Sequence, residues 1–258
     1  RELALAHNGN LTNAVELYNE LTEQGLKLRG TSDSEIIAAL LSSRAGEGNE
    51  WIEDAVAEVM PRLEGAYSTV VMTKHAVVAF RDPHGVRPLA LGKMKSSDGL
   101  PECFVVASES CAFDIIGAQL IREVQPGEMV ALTDEGLAMK PVIEGERKAM
   151  CVFEHIYFSR PDTKLEGKVL QGVRGRMGEL LWEEAPVDAD LVITVPDSGN
   201  PAANGFARAS GLPKDDGLIK NRYVQRTFIQ PGQELRKHGL RMKFNPLPEI
   251  VAGNRVVV

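Results

Sequence analysis

The first apolar positions alternate with polar or small ones through ELALAH, which predicts a strand, and His7-Asn8-Gly9-Asn10 reads as the turn that closes it. Asn13-x-x-Glu16 then has the form of a capping box, followed by Ala14, Leu17, Tyr18 and Leu21 at helical spacing and by Gly25 as a stop. Ser32-x-x-Glu35 gives a second helix start before Ile36, Ile37, Leu40 and Leu41. A third amphipathic stretch, 51–63, carries Val56, Val59, Met60 and Leu63. The pattern then shortens to period-two and brief apolar runs over 66–73, 76–80, 104–107 and 128–133, separated by Gly, Pro and Asp. Helices leading into several hairpin-like strands predict an α+β domain with an antiparallel sheet.

Beyond a linker around 141–148 the pattern is different. Residues 167–182 have helical spacing at Leu170, Val173, Met177, Leu180 and Leu181, against which stand three internal glycines. Leu191-Val192-Ile193-Thr194-Val195 is a near-continuous apolar run, the signature of a parallel strand buried on both faces. It enters Pro196-Asp197-Ser198-Gly199 and then an Ala-rich helical stretch, 201–210, with Val256-Val257-Val258 as a further strand. That is a βα repeat of doubly wound type, in which ligands sit at the carboxyl ends of strands, so Asp197-Ser198-Gly199 is placed at a site. A chain that opens directly on a strand pattern and stops on an apolar β-branched run is expected to be an internal fragment.

Composition adds a division. The 258 residues are 43% hydrophobic and 25% charged, and carry a formal charge of −7. Residues 1–150 hold 14 Lys and Arg against 23 Asp and Glu, whereas 151–258 hold 15 against 13. Two domains are expected. Overall acidity argues against nucleic-acid binding. Cys103, Cys111 and Cys151 are too sparse for a disulfide scaffold, no apolar run could span a bilayer and no signal peptide is visible, so a cytoplasmic protein without membrane partners is expected.

One stretch opposes the acidic background. Within 217–243, Lys220, Arg222, Arg226, Arg236, Lys237, Arg241 and Lys243 face a single acid, Glu234. So many neighbouring cations repel unless they meet solvent or an anion, and Gly217, Pro231, Gly232 and Gly239 argue against one rigid helix. The stretch reads either as an ordinary solvated loop or as a mobile loop closing on a phosphate-bearing ligand, with Arg as bidentate reader and Lys as point charge. Asp197-Ser198-Gly199 could likewise be a plain turn, or could offer backbone N–H groups to a diphosphate and the Ser198 hydroxyl to its metal. In the first half, Asn8-Gly9 is first a turn dipeptide; the other reading is an oxyanion hole made by a side-chain amide and a close-approaching backbone N–H. Asp33 could bind a substrate ammonium or serve the helix dipole. The segment 81–88, RDPHGVRP, reads as a structured turn held by Arg81 and Asp82.

Taken together, LAHNGNLTN (5–13), TSDSE (31–35), RDPHGVRPLALGK (81–93), ASESCAFDIIGA (107–118), VQPGE (124–128), CVFEHIYFSRPDT (151–163), VPDSG (195–199), GLIKNRYVQRTFIQPGQ (217–233) and GLRMKFNP (239–246) resemble, in order, the signatures of the glutamine phosphoribosylpyrophosphate amidotransferase family. The resemblance implies a four-layer αββα glutaminase domain of N-terminal-nucleophile type over 1–146. It also implies an α/β type I phosphoribosyltransferase domain with a parallel sheet over 147–258, both incomplete.

It further implies a two-step enzyme of the first committed step of purine biosynthesis. Glutamine would be hydrolysed through a thioester, with Asn8 and Gly9 as oxyanion hole and Asp33 on the α-amino group. Ammonia would then displace diphosphate from phosphoribosylpyrophosphate to give phosphoribosylamine. Asp197, Ser198 and Gly199 would bind the diphosphate, with Ser198 also on Mg²⁺, and Lys220, Arg222, Tyr223, Arg226 and Thr227 would belong to the closing loop. Cys151 matches a position that ligates a 4Fe–4S cluster in some members. Purine nucleotides would be feedback inhibitors and the complete enzyme a homotetramer. The nucleophilic Cys would precede Arg1, and an acidic pair with a Gly-Thr loop would follow Val258, so the fragment is expected to be inactive. Gln225 stands where the family usually has Gly, and 214–216 is more polar than its pattern. A different glutamine-dependent enzyme could share only the first half. A non-catalytic regulator sensing phosphoribosylpyrophosphate is the alternative reading.

Overall fold

A computed structural model describes residues 2–44, 51–95, 102–145, 147–224 and 232–258. The chain divides into one unit of Arg1–Glu154 with Thr163–Gly167 and a second of His155–Asp162 with Lys168–Val258.

The first unit runs β1 (Ala4–Leu11), α1 (Ala14–Glu23), α2 (Asp33–Ser43), α3 (Trp51–Val59), β2 (Gly65–Met72), β3 (Ala76–Arg81), β4 (Ala90–Met94), β5 (Cys103–Ala107), α4 (Cys111–Ile116), β6 (Ala118–Glu123), β7 (Glu128–Thr133) and β8 (Gly136–Pro141), with the short β9 (Lys164–Leu165) in its returning segment. Antiparallel neighbours build a five-stranded sheet in the order β1-β2-β3-β7-β8 and a three-stranded sheet in the order β5-β4-β6. Three apolar cores define the layers. Leu17, Leu21, Ile37, Leu41 and Ile52 of the helices pack on Val71, Val78 and Phe80 of the large sheet. Ala79 and Val130 on its other face meet Leu89, Leu91 and Val124. Phe113 of α4 covers Ala90 and Ala118 of the small sheet. The order is therefore αββα, as expected. In α2, Ile36, Ile37, Leu40 and Leu41 are all buried, each contributing about 2 kcal/mol.

The second unit contains β10 (Lys168–Val169), α5 (Leu170–Glu184), β11 (Leu191–Val192), α6 (Asn200–Ser210), β12 (Leu218–Lys220), α7 (Gln233–Lys243), β13 (Phe244–Pro246), α8 (Pro248–Val251) and β14 (Val256–Val257). β11 pairs in parallel with β14, and Val192 bridges in parallel to Lys214 on its other side. The polar segment at 214–216 therefore runs beside β11 rather than in a helix. β12 and β13 form an antiparallel pair.

Several expectations are corrected. There is no turn at Asn8-Gly9: β1 continues through both residues, paired with Ser68 and Tyr67. Gly9 has φ 148°, and a Cβ there would fall 2.0 Å from the Ala66 carbonyl oxygen, so the glycine permits close strand approach. Asn13 precedes α1 without a side-chain cap; its amide instead donates to Arg62 O (2.9 Å) and accepts from Glu64 N (3.2 Å). Ser32 does cap α2, but Glu35 accepts from the N–H groups of Arg29 and Gly30 instead of returning to Ser32. β4, β6 and β8 were absent from the expected strands. The three glycines that opposed a helix over 167–182 lie inside α5, where Gly175 and Gly178 let α6 approach so closely that a Cβ on Gly178 would meet Ala202 O at 1.9 Å. Gly239 likewise sits inside α7.

Candidate functional site

The first unit places its candidate residues along the free side of β1, which among the described residues pairs only with β2. Tyr67 turns its backbone toward β3, donating to Asp82 Oδ2 (3.2 Å) and accepting from Asp82 N (2.8 Å). Gly9, opposite Tyr67, is thus in a non-hydrogen-bonded pair, and its N–H faces the free edge. Two residues on, the N–H of Leu11 faces the same way and donates to Asp33 Oδ2 (3.3 Å). Asp33, at the start of α2, is held further by Ser34 N on Oδ1 (2.9 Å). Its carboxylate therefore lies along the same edge as the Gly9 amide, roughly 7 Å per two residues of strand apart. Asn8, by alternation, projects from the opposite face and is exposed.

The RDPHGVRP segment is, as expected, a structured turn held by Arg81 and Asp82, and Asp82 ties it to β2. Arg81, only 1% exposed, donates to the carbonyls of Arg87 (2.7 Å), Val124 (2.7 Å) and Gly85 (2.9 Å). Asp82 accepts from the N–H groups of Tyr67, His84 and Val86. Burial lowers the pKa of Arg81 against the pull of Glu123 and Asp82, and burial with Asp82 beside it raises that of the Tyr67 hydroxyl.

Sequence reasoning missed His7. Its side chain is 2% exposed, with Nδ1 3.5 Å from both Asp33 Oδ1 and Ser34 Oγ. The signal was available, because period two puts residue 7 on the same face as Gly9.

In the second unit, Asp197, Ser198 and Lys220 line a cavity of about 630 Å³ with Phe158, Arg160 and Lys243. The loop at 195–199 leaves the end of the β11 run, which places it at the carboxyl end of a parallel strand, as expected. Lys220 Nζ donates to Asp197 Oδ2 (2.5 Å). Gly199 forms the N-cap of α6, where a Cβ would fall 2.6 Å from Thr194 Oγ1. Arg174, also at the cavity, is 3% exposed and donates to the carbonyls of His155 and Ser159 (2.7 Å each), which fixes the segment carrying Phe158 and Arg160. Arg222 and Tyr223 are exposed and outside this lining, Tyr223 at 96%. Arg226, Thr227 and Gln225 lie outside the described residues. Cys151 belongs to the first unit, half-buried, its N–H on the Val86 carbonyl (3.1 Å).

Residues 1–114 match a family described as a glutamine amidotransferase domain. Across 99% of its length the chain is 49% identical to the amidophosphoribosyltransferase of Synechocystis sp., of which it covers 51%. The chain is a homologue of amidophosphoribosyltransferases. It is 44% identical to that of Bacillus subtilis over 99% of the chain and 52% of the relative. The solved glutamine phosphoribosylpyrophosphate amidotransferase of B. subtilis, complexed with ADP and GMP, superposes with a TM-score of 0.86 at 43% identity, over 98% of this chain and 54% of that one. The chain thus spans about half the length of the relatives it matches. Among the described residues no helix is long and apolar enough to cross a membrane.

Proposed function

We propose that the protein carrying this chain converts glutamine and phosphoribosylpyrophosphate to 5-phosphoribosylamine, diphosphate and glutamate. Residues 1–146 would serve as its glutaminase domain and 147–258 as part of a type I phosphoribosyltransferase domain. The observation that carries the reading is that the 49% identity covers 99% of the chain and so reaches both units.

The geometry supplies matching chemistry. The outward N–H of Gly9 suits the oxyanion of an acyl-transfer intermediate, with the Asn8 amide as second donor, and Asp33 suits an α-ammonium. In the second unit, the backbone at Ser198 and Gly199 opens α6 toward the cavity, where N–H groups favour an anion. Lys220 exchanges Asp197 for a diphosphate oxygen when substrate binds, with Arg222, Tyr223, Arg226 and Thr227 as the further substrate-binding residues of this proposal. Negative charge grows on the departing diphosphate, so Lys220 binds the transition state more tightly than the substrate.

The Asp197 carboxylate and Ser198 hydroxyl are hard oxygen donors, suited to Mg²⁺ shared with substrate phosphates. The ion would neutralise the leaving group. Cys151 would supply one of the four thiolates of a 4Fe–4S cluster, the other three coming from outside this chain. Purine-nucleotide inhibition, tetramer formation and a cytoplasmic location belong to the same proposal. A purely phosphoribosylpyrophosphate-sensing regulator would leave the Gly9 and Asp33 arrangement without a use.

The test is stoichiometry in the full-length gene product with glutamine, phosphoribosylpyrophosphate and Mg²⁺. Glutamate and diphosphate should appear in equal amounts, and Lys220→Ala should raise KM for phosphoribosylpyrophosphate about tenfold or more, the worth of one charge-assisted hydrogen bond. Glutamate release without any phosphoribosylpyrophosphate consumption would reject the proposal.

A further inference from the structure

We infer that His7 is a positioning residue for Asp33, its imidazole holding the carboxylate that receives the substrate's α-ammonium group. The inference rests on the glutaminase reading above and deepens it.

The His7 ring lies between the two candidate groups of the site. On one side Nδ1 is 3.5 Å from Asp33 Oδ1. On the other, a Cβ added to Gly9 would fall 3.0 Å from Nε2, so the ring packs against the glycine whose amide faces the edge. Any side chain at residue 9 would displace it. The ring is almost fully enclosed, yet Nε2 has no hydrogen-bond partner among the described residues. Directly across the ladder, Thr69 Oγ1 is also buried and unpartnered. The His7–Thr69 pair is of the closer, non-hydrogen-bonded kind. The two atoms are not hydrogen-bonded to each other, but a hydroxyl can donate where a ring nitrogen can accept, so the buried hydroxyl across the ladder suits an Nε2 that carries no proton. That tautomer leaves the proton on Nδ1, which stands 3.5 Å from both Asp33 Oδ1 and Ser34 Oγ, and the charged acceptor is the stronger one. Leu11 N and Ser34 N fix the carboxylate from the backbone, and His7 fixes it from the sheet face. Removing the ring lets Asp33 turn without removing its charge.

The experiment compares glutamine with 4-carbamoylbutanoate, which is glutamine without its α-amino group. In the full-length protein, His7→Phe and His7→Gln should each lower kcat/KM for glutamine about tenfold, mainly through KM, the size expected for one hydrogen bond to a charged group. Hydrolysis of 4-carbamoylbutanoate and ammonia-dependent phosphoribosylamine synthesis should stay within about twofold of the parent. His7→Asn, whose amide nitrogen can occupy the place of Nδ1, should recover most of the loss. Equal losses with both substrates, no loss, or no recovery by Asn would overturn the inference. If the variants do not fold, ¹⁵N-histidine spectra of the unaltered protein decide it: a proton on His7 Nδ1 supports the inference and a proton on Nε2 overturns it. Failure of the unaltered protein to hydrolyse glutamine would reject the underlying glutaminase reading instead.

Discussion

The Asp33 carboxylate is seated on the backbone N–H of Leu11, 3.3 Å away, two residues beyond Gly9 in the same strand. A helix-start acid is thereby tied to the free edge of a sheet, and its position is set by the register that also sets the Gly9 amide. Asp33→Asn keeps one acceptor for Leu11 but loses the charge and sets an amide NH2 where Oδ1 accepted from Ser34 N. Its folding free energy should fall by about 1 kcal/mol or less, whereas kcat/KM for glutamine should fall at least tenfold, roughly the worth of a buried charge pair to an ammonium. Chemical denaturation and glutaminase assays on one preparation separate the two.

Arg81 satisfies three carbonyls that burial would otherwise leave unpaired. A lysine carries its donors on one nitrogen and cannot span them. Arg81→Lys should destabilise the first unit by about 2–4 kcal/mol, and Arg81→Met by more, because three acceptors and the Glu123 carboxylate, 3.7 Å from Nη1, then lose their cation. Urea denaturation midpoints at constant m-value measure both.

Two glycines of the same helix pair should respond with opposite signs. A Cβ at Gly172 in α5 meets nothing within 4 Å, so Gly172→Ala should stabilise by about 0.5–1 kcal/mol through the unfolded chain and helix propensity. A Cβ at Gly205 in α6 would fall 1.8 Å from Gly175 O, so Gly205→Ala must push the helices apart and should cost at least about 2 kcal/mol. Thermal unfolding of the two variants should move in opposite directions.

Arg255 clamps the start of β14 to β11, with Nη2 on Asp190 Oδ1 at 2.7 Å and Nε on Oδ2 at 3.0 Å, and a further contact to Asp188. These hydrogen bonds hold the Asp190 pKa at about 2, below its ordinary 3.8. A depressed carboxylate pKa stabilises the fold above the unfolded value and loses that contribution as pH falls through the folded one. Asp190→Asn should therefore be less stable than the parent at neutral pH, and the difference should shrink from pH 4 and vanish near pH 2. A gap between the two unfolding curves that persists at pH 2 would rule this out.

Local chemistry made much of this protein legible in its residues. The apolar spacing of Ile36, Ile37, Leu40 and Leu41 determined a helix with one buried face, and the 191–195 run determined a parallel strand end, because both patterns reflect burial along a single element. Arg81 and Asp82 announced a structured turn, and Asp197-Ser198-Gly199 a loop at a strand's carboxyl end. What the sequence alone left open was whatever depends on a neighbour. Gly9 looked like a turn until the neighbouring strand brought the Ala66 carbonyl against it, and Gly175 and Gly178 looked like helix breakers until α6 lay across them. His7 read only as part of a turn signature; strand register and the start of α2 bring its ring to Asp33. Backbone preference is a property of a residue, but close approach and polar pairing are properties of two segments, and only the tertiary structure brings the second one near.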